Sequence, residues 1–183
     1  MKKAILCDIC LLLLVFSMIA CAEEQQSNVL VISAQQPVVD GEIKASEYSL
    51  IFNFARMDLY MSRDQQNLTF ALEGKTTGWV AIGFNEMLMD DALIFLAYVE
   101  GGKSQLVQQL GVGHSHQDAD LDLLVKHAIL EADPKTIFEG KIPINKLLKE
   151  SQKELKIIIA CGEDDNIDSY HAFRQGFTIK LAE

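Results

Sequence analysis

The feature that most constrains this chain is a succession of short strand-like runs, each ended by a turn signal. "VLVISA" (29–34), "VVDGEI" (38–43), "YSLIFNFA", "MDLYMSRD", "NLTFALEGKT", "GWVAIGF" and "ALIFLAYV" follow one another closely. "SQLVQQLG", "AILEA", "TIFEGKIPI", "LKIIIACG" and "GFTIKLA" complete the series. Asp40-Gly41 inside the second run is a tight-turn signal. The one stretch with helical character is "INKLLKES", preceded by Pro143, which suits a helix start. Many short strands separated by turns predict an all-β, immunoglobulin-like antiparallel sandwich of about ten or more strands with one short helix.

One strand carries more information than the rest. In "GWVAIGF", Val80, Ile82 and Phe84 share one face, and Trp79, Ala81 and Gly83 share the other. The first set is ordinary core. The second places two very small residues beside a large flat one, and "IIIACG" repeats the device with Ile158, Ala160 and Gly162. Glycine inside a strand marks the close approach of another backbone or a ligand. Tight packing of one sheet on the other accounts for the composition equally well.

The start of the chain has the form of an export signal. Lys2 and Lys3 precede an apolar run over 9–20, too short to cross a bilayer as a permanent helix. "SMIAC" resembles a bacterial lipobox, with Cys21 as the lipidated residue. The expected organisation is a signal over 1–20, a polar tether over 21–28 and one domain over 29–183. Several acyl chains on Cys21 would anchor the protein to a membrane. Ala22 after the cysteine resembles the sorting signal for the outer membrane, facing the periplasm or cell surface. Once Cys7 and Cys10 leave with the signal and Cys21 is lipidated, Cys161 alone remains as a thiol, in a buried-strand pattern. The net charge of −10 disfavours nucleic acid as a partner.

Catalytic signatures are missing from the sequence. There is no Gly-x-Ser-x-Gly elbow, no glycine-rich phosphate loop and no His-Glu-x-x-His pair, so no enzymatic activity is expected. "HSHQDAD" puts two imidazoles and two carboxylates in seven residues. On one strand His114 and His116 would share a face and could chelate a metal; in a solvent loop the spacing carries little. His127 reads as structural.

"VVDGEIKASEY", "TTGWVAIGFN", "MDDALIFLAYV", "LGVGHSHQDAD" and "YHAFRQGFTIKL" together resemble segments of the DOMON family of heme- and sugar-binding sandwiches, over Pro37 to Leu181. "VVDGEIKASEY" is similar to the opening of bacterial members, and "TTGWVAIGFN" to the family's core strand. "MDDALIFLAYV" resembles its Met-x-x-Ala-Asp segment, with Leu93 in place of the aspartate. "LGVGHSHQDAD" resembles its glycine-rich loop and "YHAFRQGFTIKL" its closing segment. The resemblance implies non-covalent heme b held by one methionine and one histidine, and electron exchange with a redox partner. It selects Met89, with Met87 in reserve, and His171. Trp79, Ala81 and Gly83 would line the heme cleft, and Arg174 could pair with a propionate. Met/His ligation raises the potential relative to other axial pairs and fills both axial positions, which suits electron transfer. The alternative that the resemblance carries is a carbohydrate-binding module, whose aromatic platform would have to come from Tyr48, Tyr60 or Tyr98, because the lone Trp79 lies in the core motif.

Overall fold

The computed structural model describes residues 28–132 and 134–182. The expected signal (1–20), Cys21 and the tether up to residue 27 lie outside the described residues. Among the described residues the chain forms twelve strands: β1 Val29–Leu30, β2 Leu50–Asn53, β3 Met57–Arg63, β4 Asn67–Gly74, β5 Val80–Phe84, β6 Leu93–Glu100, β7 Lys103–Val112, β8 Ser115–Asp118, β9 Lys126–Ala132, β10 Lys135–Pro143, β11 Glu154–Cys161 and β12 Phe173–Leu181. They make two sheets, a seven-stranded one in the order β1-β12-β11-β5-β6-β7-β8 and a five-stranded one in the order β2-β3-β4-β10-β9. Pairing within the sheets is antiparallel except for β1 with β12.

The predicted sandwich is therefore the observed one, and its core follows from period-2 alternation. Val80, Ile82 and Phe84 point inward and are fully buried, together with Phe95, Ile157, Ile159 and Cys161. Leu59, Phe70, Leu72 and Phe138 meet them from the five-stranded sheet. Phe70 joins the two layers: its ring lies 5.6 Å from Phe84 and 5.2 Å from Phe138, edge-on to both. Such edge-to-face contacts add about 0.5–1.5 kcal/mol each to the burial of apolar area.

Local departures from the sequence reading have clear causes. "VLVISA" forms only the two-residue β1, because the chain then leaves the large sheet and bridges to the small one. Ile32 pairs with Arg63 on β3, and the Ser33 amide donates to the Arg63 carbonyl at 2.8 Å. "VVDGEI" is a loop, with Gly41 at φ +89°. "INKLLKES" contributes a single turn, α1 Ile144–Leu147, which buries Leu147. "GVGHSHQD" is no loop but a hairpin: Val112 pairs with Ser115 across the two-residue turn Gly113-His114, with Gly113 at φ +61°.

The 38–48 loop seals the outer face of the five-stranded sheet. Glu139 on β10 is fully buried. Its carboxylate accepts from the amides of Asp40 (2.9 Å) and Gly41 (2.6 Å) and from the Tyr48 hydroxyl (2.6 Å). Burial, and then the hydrogen bond and charge of Glu139, push the Tyr48 phenol far above its ordinary range, so it stays a donor. A buried carboxylate is tolerated because these donors replace its hydration.

Candidate functional site

Residues paired across neighbouring strands share a face. Register therefore assembles the outer face of the seven-stranded sheet from its sequence. One row runs Arg174 (β12), Ala160 (β11), Ala81 (β5), Leu96 (β6) and Val107 (β7). The next runs Gly176, Ile158, Gly83, Ile94, Gln109 and Asp118. The small residues of "GWVAIGF" and "IIIACG" thus point away from the other sheet, and packing of sheet on sheet does not explain them. Ala81, Leu96 and Trp79 form a second apolar cluster with Ile94, Tyr98, Val107, Ala160 and Ile167.

Three segments fold over this floor. The β5–β6 loop rises from the Phe84 end of β5. The β11–β12 loop rises from the opposite end, where Cys161 pairs with Val80. The β7–β8 hairpin forms a side wall. Together they enclose a cleft of about 850 Å³ lined by Trp79, Ala81, Gly83, Met89, Ile94, Leu96, Gln109, His114, His116, Asp118, Ile158, Ala160, Ile167, Asp168, Ser169, Tyr170, His171 and Arg174, among others. That size is within the usual range for small-molecule and cofactor sites.

Each wall is held by identifiable contacts. In the β5–β6 loop the Asn85 amide donates to the Lys156 carbonyl at 3.0 Å, and Glu86 pairs with Lys156 at 2.9 Å. The loop then passes over Gly111 of β7, where a Cβ would collide with the Met89 carbonyl. The Asp91 amide donates to the Gly111 carbonyl (3.1 Å), and the Gly111 amide to the Ala92 carbonyl (2.9 Å). Met89 is half-buried and faces the cleft. Met87 does not line it: its carbonyl lies against Gly176, and its sulfur accepts from the Thr178 hydroxyl at 3.3 Å.

In the β11–β12 loop the indole of Trp79 lies over Gly162, where a side chain would collide with it. Its Nε1 donates to the Asn166 carbonyl at 3.2 Å. Trp79 is consequently buried and serves as a prop for the loop. Beyond it come Ile167 to His171. Burial, and then the nearby Arg174 cation, lower the His171 pKa, which favours the neutral imidazole that a metal ligand requires. The Tyr170 ring stands edge-on to His171 at 4.2 Å and is itself exposed.

The cleft thus gathers Met89, His171, Trp79, Ala81, Gly83 and Arg174, and leaves Met87 outside. It also gathers His114 and His116, which the sequence left between a chelate and a solvent loop. His114 sits in the turn and His116 on β8, and among the described residues no group of three His, Cys, Asp or Glu side chains is placed to hold a metal ion. Gln109, Ile167 and Asp168 were not singled out from sequence. Only knowledge of which strands are neighbours reveals them.

A heme fits this donor set. Ala81 and Ala160 leave room for a flat macrocycle, a thioether and an imidazole enter from opposite ends of the strands, and a guanidinium stands beside the floor. Gly83 is less open than its sequence suggests, since the Ile158 Cγ2 lies 2.6 Å from where its Cβ would be.

No family model and no curated protein matches the chain. Solved structures do. The cytochrome b domain of pyranose dehydrogenase from Coprinopsis cinerea superposes with a TM-score of 0.52 at 6% identity, over 68% of this chain and 76% of that one. The cytochrome domain of Myriococcum thermophilum cellobiose dehydrogenase gives 0.52 at 11%, over 69% and 75%. A family 9 carbohydrate-binding module from Caldicellulosiruptor kristjanssonii, in complex with glucose, gives 0.51 at 12%, over 84% and 95%. At these identities the likeness establishes the fold alone: a β-sandwich of the kind found in these cytochrome domains and in this carbohydrate-binding module.

Proposed function

We propose that the outer cleft of the seven-stranded sheet binds heme b and that the protein transfers electrons without itself catalysing a reaction. The observation that carries this reading is the convergence of Met89 and His171, distant in sequence and on different loops, on one cleft floored by Ala81 and Ala160. Heme b supplies one-electron exchange at its iron. Met89 and His171 would hold its iron through a thioether and an imidazole, a donor pair that suits electron transfer. Arg174, across from Ala160, would neutralise a propionate. Trp79 and Ile167 exclude water from the floor. Cytochrome domains among the structures of this fold are consistent with the reading.

Export on a lipid anchor at Cys21 belongs to the same proposal, and it would place the protein where a periplasmic or surface redox partner could reach it. Carbohydrate binding is the second reading. The exposed Tyr170 beside Asp168 on the cleft rim favours it. Against it, Tyr48 is locked to Glu139 and Trp79 is pressed on Gly162, so neither offers a sugar platform.

Titration of the purified apoprotein with hemin tests the proposal. The expected result is saturation at one heme per chain, with the heme extractable into acidified organic solvent, since the sequence has no Cys-x-x-Cys-His attachment motif. Binding of cello-oligosaccharide by folded protein that takes up no heme would establish the second reading instead.

A further inference from the structure

We propose that His116 is a second donor for the iron position served by Met89, so that the cleft offers either a thioether or an imidazole opposite His171. The inference rests on the heme reading above.

Three observations lead to it. First, His116 stands directly across from Gly111 in the β7–β8 ladder, and Gly111 is the residue on which the Met89 carbonyl rests. Met89 and His116 are therefore neighbours on one side of the cleft, and both line it. His171 comes from the loop at the other end of the strands. Second, the Nδ1 of His116 is buried and has no hydrogen-bond partner among the described residues. A ligating imidazole binds iron through one nitrogen and donates from the other to an orienting acceptor. Third, such an acceptor is close by and also unpaired. Gln109 is 5% exposed, and its Oε1 is buried without a partner. Its Nε2 donates to the Asp118 carboxylate at 3.1 Å, which fixes the amide so that Oε1 is the free end.

Gln109 pairs with Asp118, and Gly111 with His116, so Gln109 and His116 are diagonal neighbours on one face. A hydrogen bond from the Nδ1–H of His116 to Oε1 would satisfy both atoms. The result is a chain in which Asp118 orients Gln109, Gln109 orients His116, and the Nε2 of His116 is left to face the cleft. One unmade hydrogen bond explains two buried polar atoms that would otherwise each cost stability. Gln109 is a positioning residue in this arrangement, because it acts through His116.

The test is the visible and magnetic circular dichroism spectrum of heme-loaded variants. Met89→Ala is expected to stay six-coordinate and low-spin, with bis-imidazole signatures and a lower reduction potential than the wild type. Met89→Ala/His116→Ala is expected to become high-spin. His116→Ala alone should keep the thioether signature of the wild type. Gln109→Leu in the Met89→Ala background should raise the high-spin fraction, as loss of an orienting acceptor weakens a ligand. A Met89→Ala protein that is high-spin with His116 intact would overturn the proposal, as would a low-spin spectrum in the double variant. A wild-type protein that folds and takes up no heme would overturn the heme reading itself, and this inference with it.

Discussion

The two outer faces of the sandwich are built from the same kind of strand and covered in opposite ways. Over the five-stranded sheet, the 38–48 loop is drawn down onto one buried carboxylate, Glu139, by Asp40, Gly41 and Tyr48. Over the seven-stranded sheet, three segments stand on glycines and small residues and enclose a cleft. Around Glu139 the carboxylate, the two amides and the phenol satisfy one another, and the cover is closed there. On the second face, Gln109 Oε1 and His116 Nδ1 are buried without hydrogen-bond partners among the described residues, and a thioether and an imidazole face the space between. The difference separates structure from function within a single fold. The "VVDGEIKASEY" opening belongs to the seal, and the family-like Met, His and small-residue segments belong to the cleft.

The largest effect is expected at the seal. Glu139→Ala leaves three donors without their acceptor and should destabilise the fold by about 3 kcal/mol or more, measurable by urea denaturation. Heme affinity, compared in the folded range, should not change. Strong loss of heme there would mean that the two faces are coupled and would break the comparison.

Gly83→Val acts on the other face. The new side chain must displace Ile158 from the floor. A cost of about 1–3 kcal/mol is expected from overpacking, together with loss of heme from a protein whose circular dichroism is otherwise that of the wild type. Gly111→Ala is subtler. Its methyl group meets the Met89 carbonyl and lifts the β5–β6 loop, at about 1 kcal/mol. The thioether signature should disappear from the heme spectrum while heme is retained. The smallest effect is expected for Met87→Ala, within about 0.5 kcal/mol in stability and with the spectrum unchanged, since Met87 packs on β12 outside the cleft. A spectrum that followed Met87 instead would move the ligand by two residues along the loop.

The contrast also explains what could be read from the sequence. The sandwich and the two faces of β5 were legible because Val80, Ile82 and Phe84 alternate with residues of very different size. In "ALIFLAYV" the alternation is hidden: Phe95 faces the core and Ile94 and Leu96 the cleft, and both sets are apolar. Nothing in "TIFEGKIPI" marks Glu139 as buried, because the loop that buries it comes from a distant part of the chain. The β7–β8 hairpin looked like a loop, because β8 is an exposed polar edge strand. Met89, His171 and Arg174 were reached by resemblance, and their meeting in one cleft depends on strand order, which no local pattern encodes. Gln109 is the clearest case: in "SQLVQQLG" nothing separates it from Gln108, while register alone puts it beside Asp118.

The central claim is that the open face holds heme between Met89 and His171. Its most direct test is the reduced visible spectrum of heme-loaded wild type beside that of His171→Ala. A sharp, low-spin b-type spectrum is expected for the wild type. In the variant heme should be lost or held only weakly, with the apoprotein as stable as before. A variant that retained the wild-type spectrum, or a folded wild type without heme, would contradict that claim.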